Sequence, residues 1–187
     1  MEIKSPLVRR LINIDEVHIM KKEGILRPDE RIELISGMLF EKTIASPKLA
    51  ACVKGLTALF YALLADKVTI GVQDPVHIND FSEPEPDISI LHFSKDRYAK
   101  AHPEAKDVIL LIEVAESSLD YDREVKLPLY AASGIPEVWV VNPEDNQMEI
   151  YTSPENESYQ SREILTKEQK IYLPAFGLEI PVSQILI

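Results

Sequence analysis

Residues 107–115, DVILLIEVA, leave the chain the least freedom in how it folds. Apolar side chains stand at odd and even positions alike from Val108 to Val114, so neither face of a strand made from them could meet water. Such a strand belongs in the middle of a sheet that is covered on both sides. Helical spacing follows over 122–133, where Val125, Leu127, Leu129, Tyr130 and Ala131 precede Gly134, and PEVWVVN (136–142) reads as a second buried strand. Strand, helix and strand in that order predict parallel neighbours joined by a right-handed crossover. The only charge inside the first strand is Glu113, and a carboxylate there is costly unless an opposite charge meets it.

The rest of the chain fits around this unit. A short helix is expected over 14–22, ended by Gly24 in a left-handed cap. RIELISGMLFEKT (31–43) predicts a hairpin turning at Ser36-Gly37. A long helix is expected over 46–66, with Ser46 as its cap and Pro47 at its first position. Strands are expected at 67–72, 75–78 and 86–93, the last with Asp87, Ser89 and Leu91 on one face and Ile88 and Ile90 on the other. QMEIYTS (147–153) and SYQSREIL form an antiparallel tail. With no repeat or linker, the prediction is one mixed α/β domain over 1–187, a central mixed sheet flanked by helices, with an N-terminal helix and β-hairpin.

Composition narrows the setting. Among 187 residues 45% are hydrophobic, which suffices for a real core. No run approaches the ~18–20 apolar residues a membrane span needs, so no membrane partner is expected. A single cysteine, Cys52, and the lack of an apolar leader point to a reducing cytoplasm. The net charge of −11 excludes a general nucleic-acid coat. It is unevenly spread. Residues 1–54 hold 10 Lys/Arg against 8 Asp/Glu, a net of +2, and residues 55–187 hold 10 against 23, a net of −13. A DNA-facing surface would therefore draw on Arg9, Arg10, Lys21, Lys22, Lys42, Lys48 and Lys54.

Three residues could do chemistry together. Asp87 opens one strand and Glu113 lies near the end of another, so neighbouring strands could bring both carboxylates to one divalent ion. Lys126, 13 residues beyond Glu113, can reach back from the following helix to orient a water or neutralise developing charge. Each has a plainer reading: Asp87 as a turn residue after Pro86, Glu113 as a strand end in solvent, Lys126 as the partner of Asp122 one turn earlier. Other chemistries lack their residues. The four histidines show no metal spacing, zinc lacks its cysteines, and no phosphate loop, dinucleotide loop or nucleophile elbow occurs. Trp139 and Tyr130 read as core.

From RIELISG through QDPVHI and SEPEPDISIL to HPEAKDVILLIEVAESSLDYDREVKLPLYAASGIPEVWVVNP, the chain resembles the Uma-two family of restriction-endonuclease-like proteins, within the PD-(D/E)XK nuclease superfamily. The resemblance implies a restriction-endonuclease-like core and a Mg²⁺ or Mn²⁺ site held by Asp87 and Glu113. The superfamily's lysine two residues past the glutamate is replaced here by Ala115, and Lys126 in DREVKLPLY matches the lysine that this family takes from the next helix. Glu33 of ELISG is implied as a further ligand or water holder, and Gln73 of QDPV as a residue lining the cleft. Leu49 stands where many relatives have histidine, and Asn142 where many have aspartate. A metal-dependent DNA endonuclease working as a homodimer is the function implied. A non-catalytic interaction module that keeps the fold, or a metal-dependent hydrolase of a small phosphorylated molecule, would share the same residues.

Overall fold

The computed structural model describes residues 8–27, 29–42, 45–116 and 118–186. Thr43, at the end of the predicted hairpin, lies outside the described residues. Helix α1 (Ile14–Lys22) starts from Asn13, whose side chain accepts from the Glu16 amide while Glu16 returns a bond to the Asn13 amide. Gly24 follows it at φ +71, as expected of a left-handed stop. Strands β1 (Ile32–Ile35) and β2 (Met38–Glu41) pair antiparallel around Ser36 and Gly37, both at positive φ, which gives the turn the twist a two-residue hairpin needs. Helix α2 (Pro47–Leu64) is capped by Ser46, whose hydroxyl accepts from the Leu49 amide.

Strands β3 (Val68–Val72), β4 (Ile88–His92), β5 (Val108–Val114), β6 (Glu137–Asn142), β7 (Gln147–Glu155) and β8 (Ser158–Thr166) form one six-stranded sheet in chain order. Only β5 and β6 run parallel, joined by the crossover that the sequence predicts. The expected strand at 75–78 is absent. Val76 and His77 bond to the carbonyls of Pro84 and Pro103, and the segment makes only isolated bridges. A second hairpin, β9 (Lys170–Leu173) with β10 (Leu178–Pro181), was not expected.

Alternation along β5 sorts its side chains between two cores. Leu110, Ile112 and Val114 pack with Leu56, Phe60 and Leu64 of α2, with Trp139, and with Ile171 and Ile180 of the C-terminal hairpin. Leu111 packs on the opposite face with Leu127, Tyr130, Val138 and Val140. Each buried side chain of this size contributes ~1.5–3 kcal/mol, so the sheet is held by apolar layers on both faces. Helix α2 matches a membrane span in length and composition, with a mean hydropathy of 1.3 over 18 residues. Its apolar stripe Cys52, Val53, Leu56, Phe60 and Leu64 is spent on the sheet instead.

The crossover helix starts three residues earlier than predicted and is not regular. Helix α3 (Leu119–Tyr121) passes through a π turn (Asp122–Lys126) into α4 (Leu127–Ala132), with the Leu127 amide bonding the Asp122 carbonyl. Pro128 has no amide to offer Glu124, and its ring would crowd that carbonyl, so a wider turn relieves both problems. Asp122, Lys126 and Tyr130, four residues apart along this segment, are all buried.

Candidate active site

Asp87 and Glu113 come together through strand register. β4 pairs antiparallel with β5, Ile88 opposite Ile112, so one residue further on Asp87 lies opposite Glu113. The odd-numbered face of β5 is the one that α3 and α4 cover, and both carboxylates point there. They line a cavity of about 270 Å³ with Glu33, Gln73, Tyr121, Asp122 and Lys126, among others.

Lys126 fills the inner end of this cavity and is 2% exposed. Its Nζ lies 3.2 Å from both oxygens of Glu113 and 3.3 Å from Glu33 Oε2. Asp122, the plainer partner, is farther away at 3.8 Å. Burial alone would lower the Lys126 ammonium, but Glu113, Glu33, Asp122 and Asp87 outweigh it and push its pKa up. Lys126 is therefore a fixed cation. Burial raises Glu113 to about 8 and Asp122 to about 6, with Lys126 pulling each back down. The carboxylates outnumber the charge that neutralises them.

Each acid is held by named donors. Asp87 Oδ2 accepts from the Val114 amide at 2.9 Å, and Oδ1 from Gln73 Nε2 at 3.0 Å. Gln73 does this from φ +55, a left-handed conformation that costs a non-glycine residue energy and recurs at functional sites. Glu33, 1% exposed on β1, accepts from the Glu85 amide and from the Tyr121 hydroxyl. Tyr130 donates to Glu113 Oε1 at 2.7 Å, so this residue, expected as plain core, also anchors a site carboxylate.

The donor chemistry fits a hard divalent cation, which takes one or two carboxylates and completes its shell with water and phosphate oxygens. Asp87 and Glu113 are oxygen donors on opposed strands in an acidic cavity. Among the described residues no three His, Cys, Asp or Glu side chains form a ready-made metal cage. The fit is to a two-carboxylate site.

A second ionic contact seats the helix. Glu113, Val140 and Glu149 lie in one row across β5, β6 and β7. Arg123, three residues before Lys126, reaches Glu149, which also accepts from Arg162 and from the Tyr151 hydroxyl. Burial would raise the Glu149 carboxyl, but those three donors hold it below the usual carboxylate range. Its stabilisation is present above the ordinary value of 4.5 and fades as pH falls through the lowered folded value. Glu149→Gln should cost roughly 1–3 kcal/mol at neutral pH, because it removes a charge-assisted acceptor shared by three donors. Melting curves should show the deficit at pH 7 and its loss in acid; an equal deficit at both would mean the charge is irrelevant.

The family model described as "Putative restriction endonuclease" (Uma2) matches residues 14–183. The chain belongs to the Uma2 family. The match takes in Glu33, Gln73, Asp87, Glu113 and Lys126 alike. The structure is similar to a crystal structure from Anabaena variabilis ATCC 29413, described as "a putative nuclease belonging to DUF820". The TM-score is 0.73 at 16% identity, over 94% of this chain and 97% of that one. At that identity the likeness establishes a shared nuclease-type fold. No curated protein matches the chain.

The departures from the family pattern are placed as well. Ala115 is buried in the core, and Leu49 lines the cavity. Asn142 stands apart from the Lys126 cluster: it bonds Asp145 and accepts from the amides of Glu144 and Asp145, building the β6–β7 turn. Of the basic surface candidates, Arg10 pairs with Glu16, Lys48 lies 3.6 Å from Glu144, and Lys42 lines the cavity.

Proposed function

We propose that this chain is an endonuclease that hydrolyses DNA phosphodiester bonds with Mg²⁺ or Mn²⁺. The observation that carries the reading is the buried Lys126 fixed on both oxygens of Glu113, directly across the strands from Asp87. Asp87 and Glu113 would hold the ion, which when bound polarises a phosphate and makes a water more acidic.

The chain's own residues have separable tasks. Gln73 and the Val114 amide fix the Asp87 carboxylate. Tyr130 fixes Glu113. Lys126 stays protonated, so it does not abstract a proton. It donates hydrogen bonds and offsets negative charge that grows on a phosphate in the transition state. Glu33 also pairs with Lys126, and Tyr121 holds Glu33 in turn. A homodimer would supply the two centres that a double-strand cut needs.

The test is cleavage of plasmid, single-stranded DNA and bis-p-nitrophenyl phosphate with Mg²⁺ or Mn²⁺, for wild type, Asp87→Asn and Lys126→Arg. The expected result is plasmid nicking by wild type alone, with Asp87→Asn inactive. Hydrolysis of the small ester only would assign a small-molecule phosphodiesterase. No hydrolysis of any of the three would leave a binding module.

A further inference from the structure

The cavity that holds the acidic cluster has a basic wall. Arg31 and Lys42 flank the open end of the β1–β2 hairpin, and the Lys42 amide donates to the Arg31 carbonyl at 2.8 Å. Both side chains are half-buried and both line the cavity with Asp87 and Glu113. Among the described residues neither forms an ion pair. What sets these two apart is their place, half-buried in the wall of the acidic cavity. Lys42 is moreover held in place, its Nζ donating to the Glu85 carbonyl at 2.6 Å.

We infer that Arg31 and Lys42 form a phosphate-binding rim that receives the backbone of a polynucleotide beside the phosphodiester to be cut. The assignment rests on the nuclease reading above for the identity of the reacting bond, but its own evidence is the hairpin. A single small anion would be repelled by the four carboxylates at the inner end and would gain little from entering. A polynucleotide has charges in series, so one phosphate can enter the acidic end while its neighbours stay on the cationic wall. Arg31 suits that role, because a guanidinium can grip two phosphate oxygens with parallel hydrogen bonds. Lys42 adds a point charge close enough to pull down the Glu113 carboxyl against the upward push of burial. The hairpin thus gives an acidic protein a local footing for an acidic substrate.

The test measures binding without cleavage. A short fluorescein-labelled DNA duplex is titrated in metal-free buffer over a KCl series, with fluorescence anisotropy as the readout. Arg31→Gln with Lys42→Gln should flatten the log–log salt slope by about 1.8, two contacts at ~0.9 each. Lys67→Gln with Lys100→Gln removes the same charge from exposed sites away from the cavity and should leave the slope near the wild-type value. Arg31→Lys with Lys42→Arg keeps both charges and should keep the slope, which guards against misfolding of the glutamine pair. Equal slopes for wild type and the glutamine pair, equal losses in the glutamine and control pairs, or no salt-dependent binding by wild type would each overturn the rim. The nuclease reading fails separately. If wild type never cleaves DNA with metal yet the glutamine pair still loses slope, the rim stands alone; cleavage with unchanged KM and slope in that pair removes the rim and leaves the nuclease.

Discussion

Lys126→Met should be the most damaging single change in the cleft, costing about 3–5 kcal/mol, the range seen when one partner of a buried ion pair is removed. The methionine fills most of the lysine's volume, so little of the loss comes from a cavity. It comes from charge. Glu113, Glu33 and Asp122 would be left buried with no ammonium among them. The pH dependence identifies this cause. Glu113 and Asp122 already sit high, at about 8 and about 6, because burial disfavours their charged forms. Without Lys126 both rise further, so the variant should regain stability as pH falls from 8.5 toward 5 and its carboxyls take up protons. Melting temperatures of wild type and variant at the two pH values measure it. A deficit of the same size at both would show that Lys126 matters through packing, and that its charge is not what the carboxylates need.

The sequence made most of this arrangement legible, for reasons that differ by element. The strand 107–115 was readable because two-sided burial leaves no alternative, and the β1–β2 hairpin because Ser36-Gly37 sets its turn locally. Asp87 and Glu113 could be nominated from their positions at strand ends, but their pairing depended on β4 and β5 being neighbours in a given register, a non-local fact. Tyr130 was hidden for a related reason. At helical spacing it reads as core, and it is core, with only its hydroxyl reaching Glu113. The π turn was hidden because an insertion of one residue leaves the apolar pattern intact while rotating what precedes it; Pro128 was the local cue. The 75–78 segment shows the opposite error. Its alternation resembles a strand, yet its amides are satisfied by Pro84 and Pro103, away from the main sheet.

The family match and the fold set the frame, and the side chains decide how far it can be filled. Glu33 is a case in point. The resemblance implies a ligand or a water holder, and its oxygens meet the Glu85 amide, the Tyr121 hydroxyl and Lys126. Those bonds place Glu33 on Lys126 much as Lys126 and Tyr130 place Glu113.

Glu113→Gln should therefore separate a site built for an ion from a scaffold built for stability. In the folded chain burial raises this carboxyl to about 8, above the ordinary 4.5, with Asp122 and Asp87 adding to the rise and Lys126 opposing it. The sign is that of a group that prefers to be protonated when folded. Its contribution is most favourable below pH 4.5, declines through the interval up to 8, and is unfavourable above it. Glutamine is neutral throughout and keeps an acceptor for Tyr130. Metal-free Glu113→Gln should thus match wild type near pH 4.5 and exceed it by roughly 1–3 kcal/mol at pH 8.5, a figure reduced from the full shift because Lys126 loses one partner. Added Mn²⁺ should reverse the order, raising the wild-type melting temperature and leaving the variant unmoved, since a ligand that binds only the folded state stabilises it by mass action. Calorimetric titration should show no Mn²⁺ uptake by the variant, and plasmid nicking should be abolished. The outcome that counts against the site is a variant less stable than wild type at pH 8.5 without metal that still takes up Mn²⁺ normally. A carboxylate kept there for stability would behave that way, because the ion pair with Lys126 would then outweigh the burial it requires. A carboxylate kept there for a cation is a liability until the cation arrives, and the reversal of stability order on adding Mn²⁺ is the direct measure of that liability.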